Sequence, residues 1–271
     1  MSVSFDRVST IYDATRGLPP EVSEQVTDCI LRLTAATPKT HFFEPGIGTG
    51  RIALPLVQRG YAYTGIDISD EMMDVLRRKL EGVPHQLTLI KGDATALPFD
   101  DRTFDVALTV HLLHLVANWQ NVLSEIRRVL KPEGIFLYVH GRGNDAKPGD
   151  FDFNQPQHEF KQRWDEILAD HGVQLKDYGA TEADVLEDLA QQGATVETIV
   201  AAEWRIEQTI GELLHRYQNR MYSSSWQIPN DIFAAAIQTL TAWCEQHYPS
   251  LDLDVSHNAR FKLAIARQWS R

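Results

Sequence analysis

The chain has 271 residues, with 26 basic and 37 acidic side chains and a formal charge of −11, a balance that opposes general binding to nucleic acid or to anionic membranes. Hydrophobic residues make up 43% and charged residues 23%, which excludes disordered and fibrous classes and leaves enough apolar material for a full core. Two cysteines, Cys29 and Cys244, give neither a metal-ligand spacing nor a disulfide framework, and the start MSVSFDRVST lacks a secretory pattern, so a soluble, cytoplasmic protein without a metal is expected.

Pro19 and Pro20 open a helix whose apolar positions Val22, Val26, Ile30 and Leu33 recur at helical spacing. His41–Glu44 reads as a strand that runs into a glycine-rich turn, and Ile52–Arg59 as a helix with Pro55 in its first turn. Tyr61–Asp67 is a second strand, after which Ser69 caps a helix bearing Met72, Met73, Leu76 and Leu80. Leu87–Lys91, Phe104–Val110 and Gly134–His140 are three further strands. Between the last two lies a helix with Trp119, Val122, Leu123, Ile126 and Leu130 on one face, closed by Lys131-Pro132-Glu133-Gly134. The apolar run from Val106 to Ala117 is interrupted by Thr109, His111 and His114 and is too short to span a bilayer.

This alternation predicts an α/β fold, a doubly wound and mostly parallel Rossmann-like sheet with helices on both faces. In such sheets ligands bind beyond the carboxyl ends of the strands. After His140 the rhythm breaks. Helices are expected within 151–171, from Thr181 to Gly193, through Ile210–Met221 and over 230–247. Strands are expected at Thr195–Trp204 and at Phe261, Leu263 and Ile265, the last being the final strand. By the family resemblance that the strand-end motifs carry, the expected layout is an amino-terminal lid and helix over 1–36, a cofactor-binding core over 37–143, a helical cap insert over 144–180 and a segment over 181–271 that completes the sheet with an antiparallel strand, all in one structural domain. Residues 144–215 hold 5 basic and 16 acidic groups and carry the charge imbalance, which reads by default as solvated helix faces.

Three strand ends carry the chemistry. Glu44-Pro45-Gly46-Ile47-Gly48-Thr49-Gly50 stands between a strand and a helix, where glycines let a ligand approach the backbone. A dinucleotide fold wants a third glycine where Arg51 stands, and Glu44 is a poor neighbour for pyrophosphate but a good one for an amine or sulfonium. A nicotinamide oxidoreductase is therefore the weaker alternative. Asp67, at the end of the second strand, can accept hydrogen bonds from both hydroxyls of a ribose, against the plainer role of a turn or cap. Asp93 in Gly92-Asp93-Ala94 could accept from an adenine amine while the next backbone N–H serves a ring nitrogen, although alone it would more often be a turn residue.

Together with Leu97-Pro98-Phe99 and Leu130-Lys131-Pro132-Glu133-Gly134, these motifs resemble the class I S-adenosylmethionine-dependent methyltransferases, closest to the branch containing quinone-biosynthesis and other small-molecule enzymes. The resemblance covers about residues 36–140. It implies S-adenosyl-L-methionine as cofactor and a methyl transfer to a small, partly apolar acceptor, with a non-catalytic cofactor-binding or regulatory protein as alternative. By resemblance, Gly46, Gly48 and Gly50 pass the methionine part, Glu44 orients that loop or the amino group, Asp67 holds the ribose, Ile68 and Met72 pack on adenine, and Asp93 and Ala94 read its edge. Val110 and His111 approach the sulfonium and methyl, while Tyr12 and Arg16 of an amino-terminal lid contact the cofactor carboxylate; for Arg16 a surface salt bridge competes. His111 is the candidate general base, against a hydrogen-bonded wall residue, and His114 is expected to face the neighbouring helix. His140, Trp164, Tyr222 and Trp226 are the acceptor-pocket candidates, with aromatic surface and hydroxyls suited to a polar–apolar ligand. No Asn-Pro-Pro-Tyr-like sequence follows the fourth strand, where Thr109-Val110-His111-Leu112 stands instead, which argues against amide or adenine methylation. Nucleic-acid and membrane partners are not expected.

Overall fold

Two adjoining parallel strands, β1 (His41–Pro45) and β2 (Ala62–Asp67), set the frame, because the chain between them must cross the sheet and does so through α2 (Ala53–Gln58). This computed structural model describes Asp6, Tyr12 and Asp13, residues 17–139, 156–175 and 179–269. The amino-terminal helix α1 is Pro20–Leu33, with proline at its first position. The helix α3 (Asp70–Lys79) follows β2, and β3 (Leu87–Lys91), β4 (Phe104–Val110), α4 (Trp119–Val129) and β5 (Leu130–Val139) continue the alternation. Ser69 caps α3 by accepting the Met72 N–H at 3.1 Å, and Asp70 and Glu71 complement the positive end of the helix.

The remaining elements are α5 (Pro156–Asp170), α6 (Glu182–Gln191), β6 (Thr195–Ile206), α7 (Ile210–Gln218), α8 (Asn230–His247) and β7 (His257–Arg267). The seven strands lie in the order β3-β2-β1-β4-β5-β7-β6. Pairings among β1 to β5 are parallel, and β7 runs antiparallel to β5. The expected Rossmann-like sheet with an antiparallel closing strand is therefore present. One boundary differs from the sequence reading: Lys131–Gly134 lies inside β5, and the register jumps from Phe104 opposite Leu130 to Val106 opposite Ile135. The helix ends at Val129, just before the Pro132-containing segment, which bulges within β5, and the Lys131 ammonium pairs with Asp105 at 2.7 Å beside it.

The chain divides into two units. One comprises residues 1–143, 177–203 and 260–271, and the other 144–176 and 204–259. In the first, α4 and α6 cover one sheet face, where Phe43, Phe104, Ile126, Phe136, Val185, Leu189 and Trp269 are buried together. Phe43 stacks on Phe104 at 4.6 Å and Phe136 on Trp269 at 5.1 Å. The second unit is helical at its core, with α5, α7 and α8 burying Phe160, Trp164, Leu213, Leu214, Tyr217 and Leu240.

Candidate cofactor cleft

Because β1 to β4 are parallel, Glu44, Asp67, Asp93 and Val110 fall at or just after the carboxyl ends of successive strands. A cleft of about 960 Å³, including its open mouth, lies there. It is lined by the glycine loop 46–49, by Tyr12, Glu44, Arg51, Asp67, Ile68 and Met72, by Gly92–Ala94, and by residues 110–112 and 114–116.

The glycine loop is shaped by backbone geometry. Gly46 has φ +73°, and an added Cβ would stand 2.8 Å from a Leu112 methyl carbon. Gly48 has φ +54°, and its N–H points at Asp67, donating to Oδ2 at 2.8 Å. The other carboxylate oxygen of Asp67 accepts the Ser69 N–H at 2.9 Å. Asp67 is thus held rigidly by two backbone donors, with lone pairs left on both oxygens for ligand hydroxyls. Burial raises its proton affinity, and the Ser69 and Gly48 N–H groups oppose that.

Glu44 is almost wholly buried, at 2% exposure. The Tyr63 hydroxyl donates to its Oε2 at 2.6 Å. Burial pushes the carboxyl up to about 8, while the Tyr63 hydrogen bond and the Arg51 charge pull it down and the nearby Asp67 pushes it up. Buried carboxylates of this kind are neutral at pH 7 until a cation meets them.

The described part of the amino-terminal segment is tied to this loop. The Thr49 hydroxyl donates to Asp13 at 2.7 Å, and the Lys79 ammonium bridges Asp13 at 2.6 Å and the Thr49 carbonyl at 2.8 Å. Ser69 donates its hydroxyl to Asp6. Sequence reasoning passed over Asp13 and Lys79; the acid beside Tyr12 was the available signal. Asp93 accepts both the N–H and the hydroxyl of Thr95 through Oδ1, at 2.9 and 2.8 Å, which orients its carboxylate at the end of β3.

At the end of β4, His111 adopts φ +55° and its N–H bonds the Val139 carbonyl at 3.1 Å. A left-handed backbone at a side chain of this size costs about 1–2 kcal/mol and persists where the surrounding structure holds it. His111 and His114 both line the cleft, so His114 differs from the expectation that it faces the helix. His114 sits in the 3-10 turn Leu113–Leu115.

Of the expected cofactor residues, Tyr12, Glu44, Gly46, Gly48, Asp67, Ile68, Met72, Asp93, Ala94 and Val110 come together in the cleft. Gly50 is not among the cleft-lining residues; it has φ +75°, and an added Cβ would stand 2.5 Å from a Leu76 methyl carbon. Arg16 and His140 lie outside the described residues. Trp164 does not serve as pocket surface within its unit: it is 3% exposed, with its ring against Tyr217 at 5.5 Å and Phe233 at 5.9 Å. Tyr222 is half-buried beside Tyr217, and the Trp226 indole N–H donates to the Arg220 carbonyl at 2.8 Å. Both belong to the helical unit. Ile47, Thr49, Arg51, Leu112, Leu115 and Val116 are cleft residues to which sequence reasoning gave no binding role.

Among the described residues, no group of three or more His, Cys, Asp or Glu side chains could hold a metal, and no helix is long and apolar enough to cross a membrane. The donor set suits an S-adenosyl ligand: a rigid carboxylate for vicinal hydroxyls, a buried carboxyl for a cation, and Ile68 and Met72 for a planar base.

Known proteins place this arrangement in a family. Residues 43–138 match the model of a methyltransferase domain. The chain is 30% identical over 198 residues to a fatty-acid O-methyltransferase of Mycolicibacterium smegmatis, a match covering 69% of this chain and 66% of that protein. It is 33% identical over 135 residues to a demethylmenaquinone methyltransferase of Clavibacter sepedonicus, covering 49% of this chain and 55% of that one. The fold is shared with the YcgJ protein of Bacillus subtilis, at a TM-score of 0.58 and 16% identity over 90% of this chain and 98% of that chain. The chain belongs to the methyltransferases. Its matches span between about a third and two thirds of the length of the curated relatives.

Proposed function

We propose that the protein transfers a methyl group from S-adenosylmethionine to a small, partly apolar acceptor. The observation that carries this reading is the ordered row along β3, β2, β1 and β4: Asp93, Asp67, Glu44 with its glycine loop, and His111 in its left-handed turn. Asp93 and Ala94 hold the adenine edge, Asp67 the ribose hydroxyls, and Glu44 the methionine ammonium. Bound S-adenosylmethionine supplies an electrophilic methyl on a sulfonium.

Val110, Leu112, Leu115 and Val116 give an apolar wall beyond β4, where water is excluded and an acceptor is aligned behind the methyl. His111 orients the acceptor through its imidazole and receives the proton that an O–H or N–H acceptor loses as the new bond to carbon forms. An acceptor that is already anionic needs only orientation. The acceptor classes of the fatty-acid and demethylmenaquinone relatives, an acid and a quinol-like ring, set where to look first.

The test is a methyl-transfer screen of the purified protein against fatty acids, quinols, phenols and amines, with calorimetry on S-adenosylhomocysteine alongside. Transfer to one class, lost in His111→Ala with cofactor affinity kept, supports the reading. Cofactor binding with no transfer to any class would favour a binding protein, and binding of NAD in its place would overturn the assignment.

A further inference from the structure

The side of the cleft beyond β4 stands on a very short element. Leu112, His114, Leu115 and Val116 line it, and they flank or belong to the 3-10 turn Leu113–Leu115. A turn of this length holds little of its own geometry. From within, it is closed by the Leu115 N–H on the Leu112 carbonyl at 2.9 Å and by the Val116 N–H on the Leu113 carbonyl at a long 3.5 Å. The shorter bond to the Leu113 carbonyl comes from far along the chain, from the Ala180 N–H at 3.1 Å.

Gly179 makes that approach possible. Its φ lies outside the left-handed region, so the demand is for space and not for backbone freedom. A Cβ there would stand 2.0 Å from the Leu113 carbonyl oxygen, 2.8 Å from the His114 carbonyl carbon and 2.8 Å from the Val116 carbonyl oxygen. The first of these is shorter than at any other described glycine, and all three are backbone atoms of one turn, so no side-chain rotation relieves the contact. The chain that follows is stiff. Ala180 is 3% exposed and shares a core with Leu113, Val116, Val185 and Leu189. Thr181 then begins α6 with a capping box, in which its hydroxyl accepts the Asp184 N–H and the Asp184 carboxylate accepts the Thr181 N–H. A Cβ at 179 therefore forces the turn and the start of α6 apart, and the buried, capped start of α6 leaves the turn as the part that gives.

We propose that Gly179 is a positioning residue for the methyl acceptor: by letting the Gly179–Ala180 backbone seat against the Leu113–Leu115 turn, it sets where Leu112, His114, Leu115 and Val116 stand in the cleft. This rests on the methyl-transfer reading, in which the acceptor lies against that wall. A misplacement of about 1 Å at a supporting residue is enough to cost about 100-fold in rate. Asp67, Ile68, Met72 and Asp93 stand on β2, on β3 and on the segments after them, away from the turn, so cofactor binding does not share the effect. The plainer alternative is that Gly179 only lets the chain pack, and that replacing it costs stability alone.

The test compares, on the full chain, Gly179→Ala with Thr181→Ala, which removes the cap of α6 and puts no atom against the turn. The readouts are calorimetry with S-adenosylhomocysteine, initial rates of methyl transfer to palmitate and to a naphthoquinol, and the carbon-13 signals of labelled Ile, Leu, Val and Met methyls. Gly179→Ala should lose about 10- to 100-fold in kcat/KM for the acceptor and bind S-adenosylhomocysteine within about threefold of the parent. It should shift the methyl signals of Leu112, Leu115 and Val116, while Ile68 and Met72 keep theirs. Thr181→Ala should melt at a lower temperature with rates and wall signals unchanged. Ala180→Gly adds no bulk and only loosens the supporting segment; it should lose a smaller share of the same rate, and it carries the test if Gly179→Ala does not fold. Unchanged rates and wall signals in Gly179→Ala, or equal losses in Gly179→Ala and Thr181→Ala, overturn the proposal. A parent protein that transfers to neither acceptor counts instead against the transfer reading beneath it, and the wall signals then decide the Gly179 assignment on their own.

Discussion

Glutamine at position 44 removes a titrating group from the cleft while keeping an acceptor for the Tyr63 hydroxyl, and its effect on cofactor affinity should depend strongly on pH. Burial pushes the Glu44 carboxyl to about 8 in the empty protein, so at pH 7 only about one molecule in eleven has it ionised. A ligand ammonium needs the ionised form. Binding at pH 7 therefore carries a deprotonation cost of about 1.4 kcal/mol, which grows to about 2.7 kcal/mol at pH 6 and nearly vanishes above pH 8. Affinity for S-adenosylhomocysteine should rise about 50-fold from pH 6 to pH 8, with about 0.9 proton released per ligand at pH 7. The ligand α-amino group itself titrates near 8, but Glu44→Gln shares that contribution, so the ratio of the two proteins isolates Glu44. Calorimetry in two buffers of different ionisation enthalpy reads the released proton directly. Tyr63→Phe removes the hydrogen bond that favours the ionised carboxyl, so its profile should move to higher pH. Identical pH profiles for parent and Glu44→Gln, with no buffer-dependent heat, would refute the linkage.

The same carboxyl bears on stability in the empty protein. Unfolded Glu44 loses its proton near 4.5 and folded Glu44 near 8, so the folded state binds more protons between them and stability falls as pH rises through that window. Glu44→Gln should gain on the parent by on the order of 3 kcal/mol at pH 7 and by nothing at pH 4, read by chemical denaturation. Asp67→Ala should weaken S-adenosylhomocysteine by about 1–3 kcal/mol at pH 7, and unchanged affinity would remove its ribose assignment. His111→Gly relieves the φ of +55° and should be about 1 kcal/mol more stable than His111→Ala; equal melting of the two variants would deny the strain. Gly65→Ala would set a Cβ 2.2 Å from the Ile47 methyl and should destabilise by about 1–3 kcal/mol and loosen cofactor binding through the displaced loop.

Sequence alone determined the strand–helix alternation, the strand ends and the glycine loop, because those are local: periodicity, caps and turn residues act over a few neighbours. It also placed Glu44, Asp67 and Asp93, since parallel strands bring their carboxyl ends to one edge whatever the packing between. Tertiary structure decided what those groups are. The neutral state of Glu44 at pH 7 follows from its burial, modulated by a hydroxyl 19 positions away, and Asp67 is oriented by the Gly48 N–H across the same gap. Arg51 was legible only as a residue unsuited to a dinucleotide, and its nearness to Glu44 had to be seen. Trp164 shows the limit on the other side: an aromatic at helical spacing fits a pocket wall and a core equally well, and the neighbours Tyr217 and Phe233 make it core. The left-handed turn at His111 likewise depends on Val139 of β5, a contact that no local pattern encodes.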